Sequence, residues 1–304
     1  MYHLNDLKLT IRIADLQSIS AAGRELGMTP AAASAALQRL EKKLDCLLFA
    51  RSTRKMKLTE EGHLFIESAR QALQLLDNAS NALADNRGEL KGDLRIALPS
   101  DLGRNIIRAW LDELANTAPE LKLTLYFGDQ MTDLISQNVH LALRYGQLED
   151  SSLMRRQLAL MPRVAVASPS YIEQHGLPIH PKELSQHKIL ILNRDGEPWH
   201  KWHFSHKAQQ YAVNVIGNKS CNDGAVIKDW ALAGEGIAYK SWFDVAKEVH
   251  QGALVLLFSD HIADNIPLQL VYLQSDYPSH KIRTVIDFIK QKTQAFESDY
   301  PALF

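Results

Sequence analysis

Arg51, Arg54, Lys55 and Lys57 put four positive charges into eight residues without a single acid. Charges in that arrangement suit the phosphate backbone or the minor groove of a nucleic-acid duplex rather than proton transfer. A charge run alone is an ordinary solvated face, so its surroundings decide its weight. Thr29, Pro30, Ala31, Ala32 and Ser34 open a helix just before it, and Gln38 and Arg39 lie further along that helix. In a helix-turn-helix the second helix enters the major groove with its first residues at the base edges. Few of these side chains can make a two-point base contact. Thr29 and Ser34 suit a phosphate or one base edge, and the alanines suit thymine methyl groups. Specificity is expected to rest partly on apolar contact and on DNA shape.

Three short helices must hold this face. Leu4, Leu7, Leu9, Ile11 and Ile13 mark the first, with Leu7, Ile11 and Ala14 on one stripe. Ser18 or Ser20 can cap the second, whose buried face is expected to be Ala21, Ala22 and Leu26. Gly27 is placed to end it, because glycine accepts the left-handed conformation cheaply. Thr29 reads as the cap of the third helix and Pro30 as its first-turn residue, where a missing N–H costs nothing. Ala33, Leu37, Leu40 and Leu44 give that helix an apolar stripe. A helical bundle that binds no DNA would show the same stripes. The basic run where a winged helix carries its wing favours DNA.

Thr59 followed by Glu60 and Glu61 reads as the cap and acidic first turn of a long helix reaching about residue 83. Phe65, Ala69, Ala72, Leu76, Ala79 and Leu83 form a heptad seam. Such a seam either packs on its own domain or pairs with a second copy, which would supply two recognition helices and a two-fold DNA site. The stretch at 86–92 reads as a hinge, with two glycines and mixed charge.

From Asp93 strands alternate with helices. Strands are expected at 94–98, 121–127, 141–145, 163–167, 188–192, 212–216, 236–239 and 268–273. Helices are expected at 104–118, 170–175, 223–233, 242–249 and 281–292. Such alternation predicts mainly parallel sheets covered by helices, arranged as two α/β lobes. Ligands of open α/β sheets bind at the carboxyl ends of strands beside helix N-termini. Ser100 and its neighbouring N–H groups would hold an anion or a carboxylate. Asp101, Thr132, Arg144, Tyr145 and Asn222 lie at similar strand ends or helix starts. Asp101 and Asp129 argue against a purely anionic ligand unless they serve as caps.

No catalytic constellation stands out. His200, His203 and His206, with Trp199 and Trp202 interspersed, offer no familiar zinc spacing. The tryptophans, with Trp230, read as core at least as readily as pocket. Neither a dinucleotide-binding nor a phosphate-binding glycine loop is present, and no cofactor or metal is expected. The chain of 304 residues has 46% hydrophobic and 23% charged residues and no apolar run of membrane length, and a cytoplasmic location is expected. The net charge of -1 hides an asymmetry: residues 1–60 hold ten Lys/Arg and six Asp/Glu, so the basic surplus is local. Cys46 and Cys221 are expected to be separate reduced thiols.

The chain resembles the LysR-type transcriptional regulators over nearly its whole length. The residues that carry this are Ser18-Ile19-Ser20-Ala21-Ala22, Leu26-Gly27, Ser34, Leu37 and Leu40-Glu41. They continue with Leu44, Leu47-Leu48-Phe49, Arg51, Thr53-Arg54 and Leu58-Thr59-Glu60-Glu61-Gly62. Further on, Gly92-Asp93-Leu94-Arg95-Ile96, Leu141-Ala142-Leu143-Arg144-Tyr145-Gly146 and Gly234-Glu235-Gly236-Ile237-Ala238 look like the same family. Pro99-Ser100-Asp101-Leu102-Gly103-Arg104 resembles a branch that includes regulators of organic-acid use.

The resemblance implies an all-α winged helix-turn-helix domain at 1–60 and a dimerising linker helix at 61–86. A hinge at 87–91 would lead into a two-lobed, periplasmic-binding-protein-like effector domain at 92–304. Lobe one would comprise 92–162 and 267–292, and lobe two 163–266. It implies homodimers assembling into tetramers on imperfect palindromes near promoters, with RNA polymerase as a further partner. An effector would lie between the lobes against Ser100, Thr132 and the helix start near Asn222. There are departures. Pro30 stands where the family often has Gln, Ala31 where Pro is common, Asp45-Cys46 where Leu-Gly is frequent, and Ala50 where a polar residue is usual. They bear on the operator sequence rather than on DNA binding as such. Two other classes stay open on the residues alone. One is an enzyme with an accessory helical domain, and the other a ligand-binding dimeric protein whose N-terminal helices serve only assembly.

Overall fold

Helix α1 (Leu4–Leu16) carries two buried faces. Leu9 and Ile13 join Ala22, Ala33, Ala36, Leu37, Leu40, Leu48 and Phe49 in one core. Ile11 instead meets Ile66 and Ala69 of α4 (Glu60–Ala84). Between them run α2 (Ile19–Glu25) and α3 (Pro30–Leu44). Ser18 accepts the amide of Ala21 and Thr29 that of Ala32, both at 3.2 Å, which caps the two helices where their first N–H groups lack partners. Gly27 has φ +67° in the turn between them. The expected face of α2 is corrected at one position: Leu26 is exposed and Gly23 is buried. Gly23 lies so near Ala33 that a larger residue there would push α2 off α3. Truncating a core residue such as Leu37 to alanine would cost about 2–5 kcal/mol.

Strands β1 (Phe49–Arg51) and β2 (Met56–Leu58) pair antiparallel as the wing. The computed structural model describes residues 3–51, 56–84, 90–129, 139–146, 153–194, 196–207, 209–262, 265–273 and 279–304. Helix α4 begins where the sequence placed it, with Thr59 Oγ1 accepting the Gly62 amide at 2.9 Å. The seam splits. Phe65 and Ala69 pack on α1, whereas Ala72, Leu75 and Leu76 are exposed, as is Leu64 at 70%. The side chains of Ala79 and Leu83 lie outside the described residues.

The described residues up to 84 and those from 90 onward form two compact units. In the second, β3 (Gly92–Leu98) leads into α5 (Ser100–Leu102), a π-helical turn (Gly103–Ile107) and α6 (Arg108–Thr117). Strands β4 (Leu121–Phe127), β5 (Leu141–Tyr145) and β6 (Leu153–Met161) follow. The chain crosses to β7 (Arg163–Ala167), α7 (Pro169–His175), β8 (Ile189–Arg194), β9 (Glu197–Pro198), β10 (Lys201–His206), β11 (Gln209–Asn214) and β12 (Gly217–Cys221). Then come α8 (Gly224–Leu232), β13 (Ile237–Ser241), α9 (Trp242–His250) and β14 (Val255–Leu257). Strand β15 (Ile266–Leu273) returns to the first sheet, and α10 (His280–Asp299) closes the chain.

The first sheet has the order β4-β3-β5-β15-β6 and the second β12-β8-β13-β7-β14. Both are mixed rather than mainly parallel. Strands β15 and β7 run against their neighbours because the chain crosses between lobes there and enters the next sheet from the opposite end. One continuous apolar cluster includes Leu94 and Ile96 of the first lobe and Ile227, Ala238 and Trp242 of the second. The β10–β11 hairpin covers the far face of the second sheet, where Trp202 and Phe204 are buried.

Candidate functional site

On α3, Ala33, Ala36, Leu37 and Leu40 turn inward. Thr29, Pro30, Ala31, Ala32, Gln38 and Arg39 are exposed, and Ser34 is half-buried. They make one accessible face at the start of the helix, as the 3.6-residue period requires. The Thr29 hydroxyl is engaged as the helix cap. Lys57 is exposed on β2. The backbone of Arg51 ends β1; its side chain, Arg54 and Lys55 lie outside the described residues. Glu41 went unnoticed in the sequence as a positioning residue. Its buried Oε1 accepts the amides of Leu48 at 2.9 Å and Phe49 at 3.4 Å, which pins the approach to the wing onto α3. Thr59 adds a hydrogen bond to the Leu47 carbonyl at 2.7 Å.

In the second unit the start of α5 faces the start of α8. The Ser100 amide donates to Asp129 Oδ1 at 3.0 Å, and the Ser100 hydroxyl donates to Oδ2 of the same carboxylate. The Gly224 amide reaches that Oδ2 and Ser100 Oγ, each at 2.7 Å. Two amides and a hydroxyl thus converge on one carboxylate, the arrangement that a helix N-terminus offers an anion. The anion held is the chain's own Asp129. Gly224 allows the approach: a Cβ there would lie 3.0 Å from Lys240 Nζ and 3.2 Å from the Asp129 oxygen. Arg144 donates to the Gly128 carbonyl at 3.4 Å, beside this cradle. Asn222 is exposed just before α8, and Thr132 lies outside the described residues.

Asp101 and Tyr145 belong to a buried ion cluster joining the lobes. Lys228 Nζ and Lys240 Nζ each lie 2.7 Å from an oxygen of Asp101. Lys240 also lies 3.3 Å from Asp244, whose Oδ1 accepts the Tyr145 hydroxyl at 2.8 Å. Burial pushes the Asp101 carboxyl up, but the two lysines outweigh it and hold the group below its ordinary value. Asp244 goes the other way, because burial dominates over Lys240 and the Asp101 charge adds to it. Outside the cluster, Arg104 reaches Asp223 at 2.7 Å across the same cleft. The sequence held one sign of this cluster. Lys240 stands in a strand whose five residues are all buried, and a buried charge needs a partner.

A separate cavity of about 220 Å³ opens beside Arg163, Trp199, His203, Phe204, Tyr239 and Ile266. The Arg163 guanidinium lies 4.0 Å over the Trp199 ring, with Arg194 at 5.2 Å from the same ring. Burial, then Arg194, pushes Arg163 down to about 10. Among the described residues its guanidinium donates no hydrogen bond and forms no ion pair, though the charge of Asp244 acts on it. The Tyr239 hydroxyl donates to the His203 carbonyl at 2.5 Å. Trp202 is fully buried and stacks on Tyr239, so of these tryptophans Trp199 alone lines the cavity.

A helix-turn-helix with a β wing, followed by two α/β lobes around an anion cradle, defines a ligand-responsive DNA-binding regulator. Residues 4–63 match the model described as a bacterial regulatory helix-turn-helix protein of the lysR family. Residues 87–294 match the LysR substrate binding domain. The chain belongs to the LysR family of transcriptional regulators, which bind DNA through the N-terminal unit and are controlled by a small molecule at the C-terminal one. It is 33% identical over 298 residues to the HTH-type transcriptional regulator DmlR of Escherichia coli K12, covering 98% of this chain and 96% of that one. It is also similar to the structure of CrgA from Neisseria meningitidis, a LysR-type transcriptional regulator, at 26% identity and TM-score 0.62. That match covers 96% of this chain and 98% of the other. The full-length structure of the Vibrio cholerae virulence activator AphB matches at 25% identity and TM-score 0.61, covering 94% and 98%. Among the described residues no helix is long and apolar enough to cross a membrane.

Proposed function

We propose that this regulator senses a small organic acid whose carboxylate takes the place of Asp129 at the Ser100–Gly224 cradle. The observation that carries the reading is the convergence of the Ser100 amide, the Ser100 hydroxyl and the Gly224 amide on a carboxylate. An effector carboxylate has the same charge and the same acceptors. Its entry releases Asp129 from Ser100 and from Gly224 of the other lobe and biases the two-lobe equilibrium, which is the physical content of an allosteric response. Arg144, Asn222 and Thr132 are the further contacts in this reading. Asp101 and Tyr145 act through the ion cluster that sets how the lobes meet.

A second reading places the carboxylate on Arg163 inside the aromatic cavity, favoured by a guanidinium that forms no ion pair among the described residues. Calorimetry on the full chain with succinate and benzoate as probes separates the two. On the first reading Ser100→Ala weakens binding about tenfold, roughly 1.4 kcal/mol, and Arg163→Gln leaves it unchanged. The reverse pattern selects the second. No saturable binding of either probe overturns both.

The DNA contacts in this reading are Thr29, Pro30, Ala31, Ala32, Ser34 and Gln38 on α3, with Arg51, Arg54, Lys55 and Lys57 on the wing. Homodimers form along α4, where Leu64, Ala72, Leu75 and Leu76 leave an apolar stripe uncovered, and dimers associate into tetramers at promoters beside RNA polymerase. Capture of genomic fragments at two salt concentrations tests this. Discrete two-fold sites are expected, and uniform salt-sensitive binding would remove the sequence-specific reading.

A further inference from the structure

The turn after β14 brings Asp260 and His261 against the end of β10, where His206 stands. The imidazoles of His206 and His261 stack with centroids 4.4 Å apart. The Nδ1 of His206 lies 3.0 Å from the Asp260 carbonyl. A carbonyl only accepts, so that nitrogen carries the proton and Nε2 keeps its lone pair. The Nδ1 of His261 sits 2.7 Å from the Tyr211 hydroxyl, and its Nε2 faces Asp260 Oδ1 at 3.8 Å. Ligating imidazoles almost always have their other nitrogen tied in this way to a carbonyl, carboxylate or water, and a hydroxyl serves the same purpose.

The three residues each offer one ligand atom, and these atoms lie within 4.8 Å of one another. Atoms bound to one ion at about 2.1 Å stand about 3.4 Å apart, so the set must draw in by up to about 1.4 Å, and the two stacked rings must tilt so that their in-plane lone pairs converge. Asp260 has a side chain 68% exposed and can turn toward the ion. His261 is buried. His180 stands edge-on to His261, but its Nδ1 accepts the Lys182 amide, which puts the proton on Nε2 and leaves it no lone pair for an ion.

We propose that His206, Asp260 and His261 bind a divalent transition-metal ion of the Zn²⁺ type, with water completing the coordination. Two imidazoles and one carboxylate are a ligand set that such ions accept and that Mg²⁺ and Ca²⁺ do not favour. The ion ties the end of β10 to the turn after β14. The β10–β11 hairpin contributes His203, Phe204 and Gln210 to the cavity wall, so the ion fixes that wall.

The test is calorimetric titration of the tag-free full chain with Zn²⁺ alone, beside His206→Ala, Asp260→Asn and His180→Ala. Binding of one ion per chain, with affinity lowered at least tenfold in the first two variants and changed less than twofold in the third, supports the site. Equal affinity in His206→Ala and the native chain overturns it, as does an absence of saturable binding. Since Asp260 lies on the surface, Asp260→Asn keeps the fold, and its melting temperature without metal should match the native value. A Zn²⁺-dependent rise in melting temperature should appear in the native chain and vanish in that variant.

Discussion

The hydroxyl of Ser100 donates to Oδ2 of Asp129, and the amide of Gly224 reaches the same oxygen from the opposite lobe. The lobes therefore share an internal carboxylate at the place proposed for the effector's. Asp129→Asn keeps the shape but removes the charge. Its affinity for succinate or benzoate is expected to rise about tenfold, about 1.4 kcal/mol, by calorimetry. An affinity equal to that of the native chain would show that Asp129 does not compete.

Asp101 neutralises two buried ammonium groups, Lys228 and Lys240. Asp101→Asn leaves both without their main partner and should cost about 3–5 kcal/mol in urea unfolding. A loss under about 1 kcal/mol would mean that Asp244 and Glu248 take over the lysines.

His140 accepts the Arg95 amide through Nδ1 at 3.1 Å. Burial, then Arg95 and Lys281, pushes its imidazole down to about 4. A depressed histidine binds its proton more readily unfolded than folded. Its contribution is thus complete above the unfolded value near 6.5 and lost as the pH falls toward 4, at most about 3 kcal/mol. His140→Gln keeps an acceptor and should flatten stability between pH 6.5 and 4. An unchanged slope would assign it to other groups.

Glu41→Ala deprives the Leu48 and Phe49 amides of their acceptor inside the N-terminal core and should destabilise that unit by about 1–3 kcal/mol. DNA affinity should fall with it while chain association persists. Glu41→Gln, which keeps an accepting oxygen, should recover most of both.

Alanine at Arg54 or Lys55 is expected to weaken DNA binding across sequences and to lower the slope of log affinity against log salt by about 0.9 per lost phosphate contact. Filter binding at four salt concentrations reads this directly, and an unaltered slope removes that residue from the backbone contacts.

The helix caps at Thr29 and Thr59, the left-handed Gly27 and the inward stripe of α3 were legible along the chain, and the cap of α2 was narrowed to Ser18 or Ser20. Caps, turns and amphipathic periods are set by residues within a few positions of one another. The same local signals place most strands and helices of the second unit. They misjudged Leu26 and left the α4 seam open between two packings, because which part of an apolar stripe is covered depends on the element that arrives there. For Phe65 and Ala69 that element is α1.

The pairings within the site escaped local reading. Ser100 meets Gly224 across 124 positions, and Tyr145 meets Asp244 across 99. Such pairs form only when two sheets dock, and nothing in the spacing of Lys228, Lys240 and Asp244 says which acid will face which base. Strand direction was settled the same way: β7 and β15 run antiparallel to their neighbours because the chain crosses between lobes, a property of connectivity rather than of any strand's residues. Residue types announced that an anion would be held near Ser100. That the anion is Asp129 is a consequence of how the lobes close.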